Sequence, residues 1–210
     1  MTTYDDIKSC AGTTGCYGVV VGPRKPTVFE FPPKPHLMVI TEQPKADGDR
    51  LWKGVEAESL KGIPDALNNL FDGSFYKGIK NKGIYWTHFI KCPGKIRRKR
   101  REGEKLNKDA CANKFLAKEI EELRPDMIIT FGGNASRFVL DMTPLKTGWR
   151  EQLWKEVEAV ASDRAEEFQP PVVNGARLLV FMHPSPASPL GYFLPKLKSL
   201  LKLYVQEDLP

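Results

Sequence analysis

The chain has 210 residues, with 32 Lys and Arg against 26 Asp and Glu for a net charge of +6, a length that suits one α/β core and is short for two. No run approaches the roughly 18 apolar residues of a membrane helix, and the opening Met-Thr-Thr-Tyr-Asp-Asp-Ile has no apolar stretch of the kind a signal peptide needs. A single domain over residues 1–210 is expected, soluble, cytoplasmic and monomeric, with no membrane partner.

Ser9 to Gly22 is rich in Gly and Thr and reads as a loop. Thr27 to Pro35 reads as a short edge strand ending in a proline-stiffened connector, where missing N–H donors do no harm. His36 to Thr41 is a continuous apolar run, the signature of a buried parallel strand, and it empties into Glu42-Gln43-Pro44. Lys45 to Gly62 is polar and reads as irregular, with Asp47, Asp49 and Trp52 in it. Ile63 to Phe71 predicts a short helix with Pro64 in its first turn and Gly73 past its end. Ile84 to Ile90 is a second buried strand, bounded by Gly83 and Pro93-Gly94, with His88 and Cys92 at its carboxyl end. The excess charge is concentrated next: six of the seven residues from Lys95 to Arg101 are cationic, an electrostatic footprint for phosphates or simply a solvated face.

Asp109 to Leu123 predicts an amphipathic helix with Phe115, Leu116, Ile120 and Leu123 on one side, Lys118, Glu119, Glu121 and Glu122 largely on the other, and Cys111 in its first turn. Met127 to Phe131 is a third strand, running through Gly132-Gly133-Asn134-Ala135 into a helix over Ser136 to Leu140. That turn suits phosphate binding or plain helix-sheet packing. Trp149 to Phe168 predicts a long charged helix and Arg177 to Met182 the last strand. His183 to Pro189 follows as a rigid, hydroxyl-bearing loop, and Tyr192 to Val205 closes the chain as a helix.

Alternating strands and helices predict an α/β fold, a three-layer α/β/α sandwich around a central four-stranded, mainly parallel sheet. In such a sheet ligands bind outside the carboxyl ends of the strands. Four strand ends would then bring Glu42-Gln43, His88, Gly132-Gly133 and His183 to one edge. Four cysteines, Cys10, Cys16, Cys92 and Cys111, fit a tetrahedral zinc, an iron-sulfur cluster or four unrelated thiols, and their spacing does not name a metal.

The order of motifs resembles the uracil-DNA glycosylase superfamily and, within it, the iron-sulfur branch called family 4. The first site motif of that branch, Gly-Glu-Ala/Gln-Pro-Gly, stands here as Thr41-Glu42-Gln43-Pro44-Lys45. Its Thr-Asn-x-x-Lys-Cys strand end stands as Thr87-His88-Phe89-Ile90-Lys91-Cys92. Cys111 with Phe115-Leu116 and Glu119-Ile120, the turn from Pro125 to Ala135, and His183-Pro184-Ser185 complete the series. The resemblance implies a monofunctional DNA N-glycosylase of base excision repair, a hydrolase that flips the target base, and a structural four-iron, four-sulfur cluster on Cys10, Cys16, Cys92 and Cys111.

It also implies residue roles. His183 would donate toward uracil O2, the Glu42-Gln43-Pro44 turn would orient the base and hold the attacking water, and Asp49 or Asp47 would support the cationic sugar. Trp52 would stack on the base and His88 would meet its edge. Ser185 and Ser188 would pin phosphates, Leu190 would wedge into the duplex, and Lys95, Arg97, Arg98, Lys99, Arg100 and Arg101 would hold DNA. Three departures stand out: Thr41 and Lys45 replace glycines, and His88 replaces an Asn whose amide geometry an imidazole does not reproduce. The alternative is a catalytically weakened relative that binds nucleic acid without cleaving a bond.

Overall fold

Residues 37–41, 84–88, 127–131 and 176–181 carry the unbroken apolar runs that a sheet covered on both faces requires. In the computed structural model these become β1 (Leu37–Thr41), β2 (Ile84–His88), β3 (Met127–Phe131) and, after a two-residue strand β4 (Val172–Val173), β5 (Ala176–Phe181). The structure describes residues 2–10, 26–45, 48–58, 62–93, 109–162, 164–183 and 198–204. The sheet order is β2-β1-β3-β5-β4, with every pair parallel except β4 with β5. It therefore has five strands rather than four. The added one is a hairpin, because Asn174 and Gly175 both take positive φ (49° and 89°) and make the kind of turn that joins antiparallel strands.

Helices flank the sheet. α1 (Thr3–Lys8) starts on a capping box in which Thr2 and Asp5 satisfy each other's backbone N–H. α2 (Gly48–Ala57) occupies the stretch expected to be irregular, burying Leu51, Gly54 and Val55. α3 (Ile63–Leu70) carries its Pro at the first turn as expected. α4 (Ser74–Lys80) follows directly and sets Gly78 against Ile84, where a Cβ would lie 2.4 Å from Ile84 Cδ1. A π-helical stretch, Ala112–Leu116, leads into α5 (Ala117–Leu123). α6 (Gly133–Asp141) begins three residues earlier than its apolar pattern suggests. α7 (Trp149–Ala161) stops well short of Phe168, and the remainder forms a 3-10 turn at Ala165–Glu167. Residues 198–204 are helical.

Two edges of the sheet are closed by side chains. Thr27 to Pro35 is not a strand: Pro26, Pro32, Pro33 and Pro35 remove too many donors, and Thr27 N–H reaches across to Lys91 O at 2.7 Å. Instead, Phe29 stacks on Trp86 at 5.6 Å and Phe31 meets Tyr85 edge-on at 5.3 Å. Neighbouring strand residues point to opposite faces, so this segment straddles the outer edge of β2. On the other side, the buried carboxyl of Glu156 on α7 accepts the Val180 N–H of β5 at 3.1 Å. All the parallel strands end at the same edge, and one continuous apolar core fills both sides of the sheet behind it.

Candidate active site

The first element of the site is the turn after β1. Pairing of β1 with β2 continues past the strands through Phe89 N–H to Thr41 O (2.7 Å) and Ile90 N–H to Glu42 O (2.9 Å), so the backbone carrying Glu42 is held as firmly as the sheet. Its carboxylate accepts from Asn134 N–H at 3.0 Å and from Asn134 Nδ2 at 3.1 Å. Those donors belong to the first turn of α6, where the helix dipole favours a negative charge. Gly132 makes this possible. Its φ is +101°, and a Cβ there would fall 2.8 Å from both Glu42 Cγ and Oε1, so only glycine leaves room for the carboxylate. Gly133 packs under the Trp149 indole, where a Cβ would lie 2.9 Å from Cζ2. The Gly-Gly turn thus receives a carboxylate of this chain at Gly132 and the indole of α7 at Gly133.

His183, two residues beyond β5, is half-buried. Burial lowers its pKa, the Glu42 carboxylate opposes that shift, and Lys45 adds to it, leaving a neutral imidazole within electrostatic reach of both residues. Glu42 and His183 each stand just beyond the carboxyl end of a parallel strand, β1 and β5, and Asn134 is the partner of Glu42 that sequence reasoning missed. An Asn directly after a Gly-Gly turn at a helix start was the available signal.

His88 ends β2 opposite Thr41. It is 1 % exposed, its ring centre lies 5.0 Å from that of Trp86, and its buried Nδ1 has no hydrogen-bond partner among the described residues. Burial first, and the Lys91 charge second, hold its pKa well below the ordinary 6.5. Thr41, where the resembling motif has glycine, is also buried; its hydroxyl accepts from Trp86 Nε1 at 3.1 Å. The departure at position 41 therefore serves the indole beside His88. Gln43 turns its amide toward the loop after β2, donating from Nε2 to Cys92 O at 2.9 Å, and Pro44 is buried beside it.

Beneath the site lies a fully buried polar network. Lys91 Nζ donates to Thr87 Oγ1 at 2.6 Å and to the Glu119 carboxylate; Tyr85 Oη and Thr87 Oγ1 donate to the same carboxylate at 2.6 and 3.1 Å. Glu119, expected on the polar face of its helix, is completely buried, and it ties the end of β2 to α5. An α-helical wheel does show this: Glu119 is spaced i+4 from Phe115, i+3 from Leu116 and i−4 from Leu123, inside the apolar stripe rather than opposite it.

Asp49 and Trp52 both sit on α2 and line a groove with Tyr85 and Trp86. Trp52 is on a helix, contrary to its expected loop position, because Leu51 and Val55 bury one face of that segment. Cys10 and Cys111 share one apolar cluster with Ile7 and Phe115. Lys91 N–H points at Cys111 Sγ at 3.3 Å, and Cys92 is the next residue. Among the described residues no group of three or more His, Cys, Asp and Glu side chains is gathered to hold a metal ion. Cys16, Asp47, Lys95, Arg97, Arg98, Lys99, Arg100, Arg101, Ser185, Ser188 and Leu190 lie outside the described residues. No described helix is long and apolar enough to cross a membrane.

No curated protein matches the chain significantly. The family model of the uracil DNA glycosylase superfamily matches residues 28–200, a span that contains Glu42, His88, Asn134 and His183. Most of the chain is covered, and the chain belongs to the uracil DNA glycosylase superfamily.

Proposed function

We propose that this DNA glycosylase removes uracil from DNA by hydrolysing the N-glycosidic bond of a flipped nucleotide. The observation that carries the reading is the placement of an anchored carboxylate, Glu42, and a half-buried imidazole, His183, just past the ends of β1 and β5 at the carboxyl edge of the sheet. Breaking the C1′–N1 bond leaves an oxocarbenium-like sugar and a uracil anion. A neutral His183 can donate its N–H to uracil O2, where negative charge develops, and a preorganised donor aimed at that charge lowers the barrier. Glu42 stabilises the cationic sugar and takes the proton of the water that adds to C1′. Asp49 is the second carboxylate assigned to the sugar side. Ser185, Ser188, Leu190 and the basic run from Lys95 to Arg101 are assigned to the DNA around the lesion.

His88 replaces the amide expected at the base edge with a neutral ring whose Nδ1 is unpaired among the described residues. With His88 1 % exposed, a base must displace what covers the ring to reach that nitrogen, and on this reading His88 sets base preference. Its burial also favours the second reading, a relative that binds nucleic acid without cleaving it.

A four-iron, four-sulfur cluster on Cys10, Cys16, Cys92 and Cys111 belongs to the same proposal. Supporting it are the shared apolar cluster of Cys10 and Cys111, the Lys91 amide directed at Cys111 Sγ, and Cys92 next to that amide; hydrogen bonds to sulfur are a usual feature of such sites. Bound there, the cluster would join α1, the loop after β2 and the helix that starts at Cys111.

The test is incubation of anaerobically purified protein with single-stranded and duplex oligonucleotides bearing one uracil, followed by alkali. Strand cleavage at the uracil is expected, reduced about 10²- to 10³-fold by His183→Ala. DNA binding with no cleavage of any deaminated base would overturn the enzymatic reading.

A further inference from the structure

The edge of β2 that carries His88 at one end borders a groove of about 1000 Å³. Its walls come from α1, the segment around Phe29, the first turns of α2, and the turn between α4 and β2. Two properties distinguish it. Five cations line it, Lys8, Lys45, Arg50, Lys80 and Lys82, against two carboxylates, Glu30 and Asp49; Lys80 is paired with Glu58 at 2.9 Å and Lys82 with Glu30 at 3.7 Å, part-exposed pairs that a phosphate would displace. Its largest exposed apolar surface is the Trp52 indole, 38 % exposed, set 5.9 Å from Phe29, which stacks in turn on Trp86. The indole is thus held from behind and open in front.

The groove adjoins the site through Lys45 and Pro93. Lys45 lines it and is also the cation that lowers the His183 pKa. Pro93, at the same end, follows the Cys92 whose carbonyl holds Gln43. From there it runs past Trp86, Tyr85 and Ile84 of β2 to Lys80 and Lys82. Three strand residues span about 10 Å, roughly three stacked nucleotides at 3.4 Å each.

We propose that this groove carries a single DNA strand leading away from the target nucleotide, with Trp52 as a stacking platform for its bases and the lysines as contacts for its phosphates. Aromatic rings interleaved with cations along a channel are what an unpaired strand needs, since every base offers a π-face and every linkage a charge. An acidic peptide would use the cations and leave the indole bare. The inference rests on the DNA-glycosylase reading of the adjoining site and gives that site a preference for unpaired flanking DNA. It also moves Trp52 from the flipped base to the flanking strand.

Fluorescence anisotropy with a uracil-free oligothymidylate of about ten nucleotides, within the range of single-strand site sizes, separates the groove from the pocket. Trp52→Ala is expected to weaken binding about tenfold, and Trp52→Phe to restore most of it by returning a ring. The double variant Lys80→Ala/Lys82→Ala is expected to lower the slope of log affinity against log salt by about 1.4, since each phosphate that a lysine neutralises on a single strand adds about 0.7. The same double variant should excise uracil from a trinucleotide-sized substrate, too short to reach those lysines, at the wild-type rate. No binding of oligothymidylate by the wild type, or unchanged affinity and salt slope in the variants, would overturn the groove. Groove-dependent binding without uracil excision on any substrate would retain it and sink the enzymatic reading instead.

Discussion

His88 and Glu156 are fully buried titratable residues that burial drives in opposite directions. His88 has its pKa pushed well below 6.5. Its unfolded form therefore takes up a proton first, and the stability it supports is present above about pH 6.5 and is lost as pH falls. Glu156 has its pKa pushed well above 4.5 by burial, against the opposing hydrogen bonds from Val180 and Gln152. Its folded form holds a proton that the unfolded form has released, so that stability is present below pH 4.5 and is lost as pH rises toward the folded value. Melting temperatures measured against pH should show this. The His88→Asn protein gains on the wild type as pH drops below 6.5, and Glu156→Gln gains as pH rises above 4.5. Parallel pH profiles for all three would mean that neither side chain titrates in its buried place.

At the scale of elements, the turn from β3 into α6 does the most for the site. Gly132→Ala places a Cβ 2.8 Å from Glu42 Cγ at a φ of +101°, which costs on the order of 1–3 kcal/mol of strain. It also pushes the carboxylate off Asn134. Excision is expected to fall about 10²-fold, as for a misplacement near 1 Å, while the fold persists; loss of stability with unchanged turnover would separate Glu42 from the chemistry. The four long strands and the edge where they end were legible because strands buried on both faces are apolar throughout. Other elements were hidden for specific reasons. The helical period of α2 rests on Leu51 and Val55 alone among polar neighbours. The capping box of Thr2 and Asp5 lies ahead of only one buried aliphatic residue, Ile7. The Asn174-Gly175 turn was readable as a hairpin but stands between strands of which one has two residues. The burial of Glu119 was legible in its helical spacing to Phe115, Leu116 and Leu123, whereas its partner Lys91, on another element, was not.

For the whole molecule, a cluster on the four cysteines would add a tie between the amino terminus and the body, which already meet through Ile7 and Phe115. Anaerobically purified protein is expected to carry about four irons per chain with the visible absorption of a cluster, and chelation should lower its melting temperature, because metal binding energy is folding energy when the site forms only in the folded state. A colourless, iron-free protein with the same melting temperature would remove the cluster from the account. At the opposite side of the sheet, β4 covers only the first residues of β5, and a bare row of strand amides is a template on which another chain can grow. Those amides are engaged: Leu178 N–H by Pro171 O at 2.7 Å and Val180 N–H by Glu156. A strand arriving from a neighbouring molecule finds no donor at either position, so the sheet stops at five strands because its last hydrogen bonds are already made.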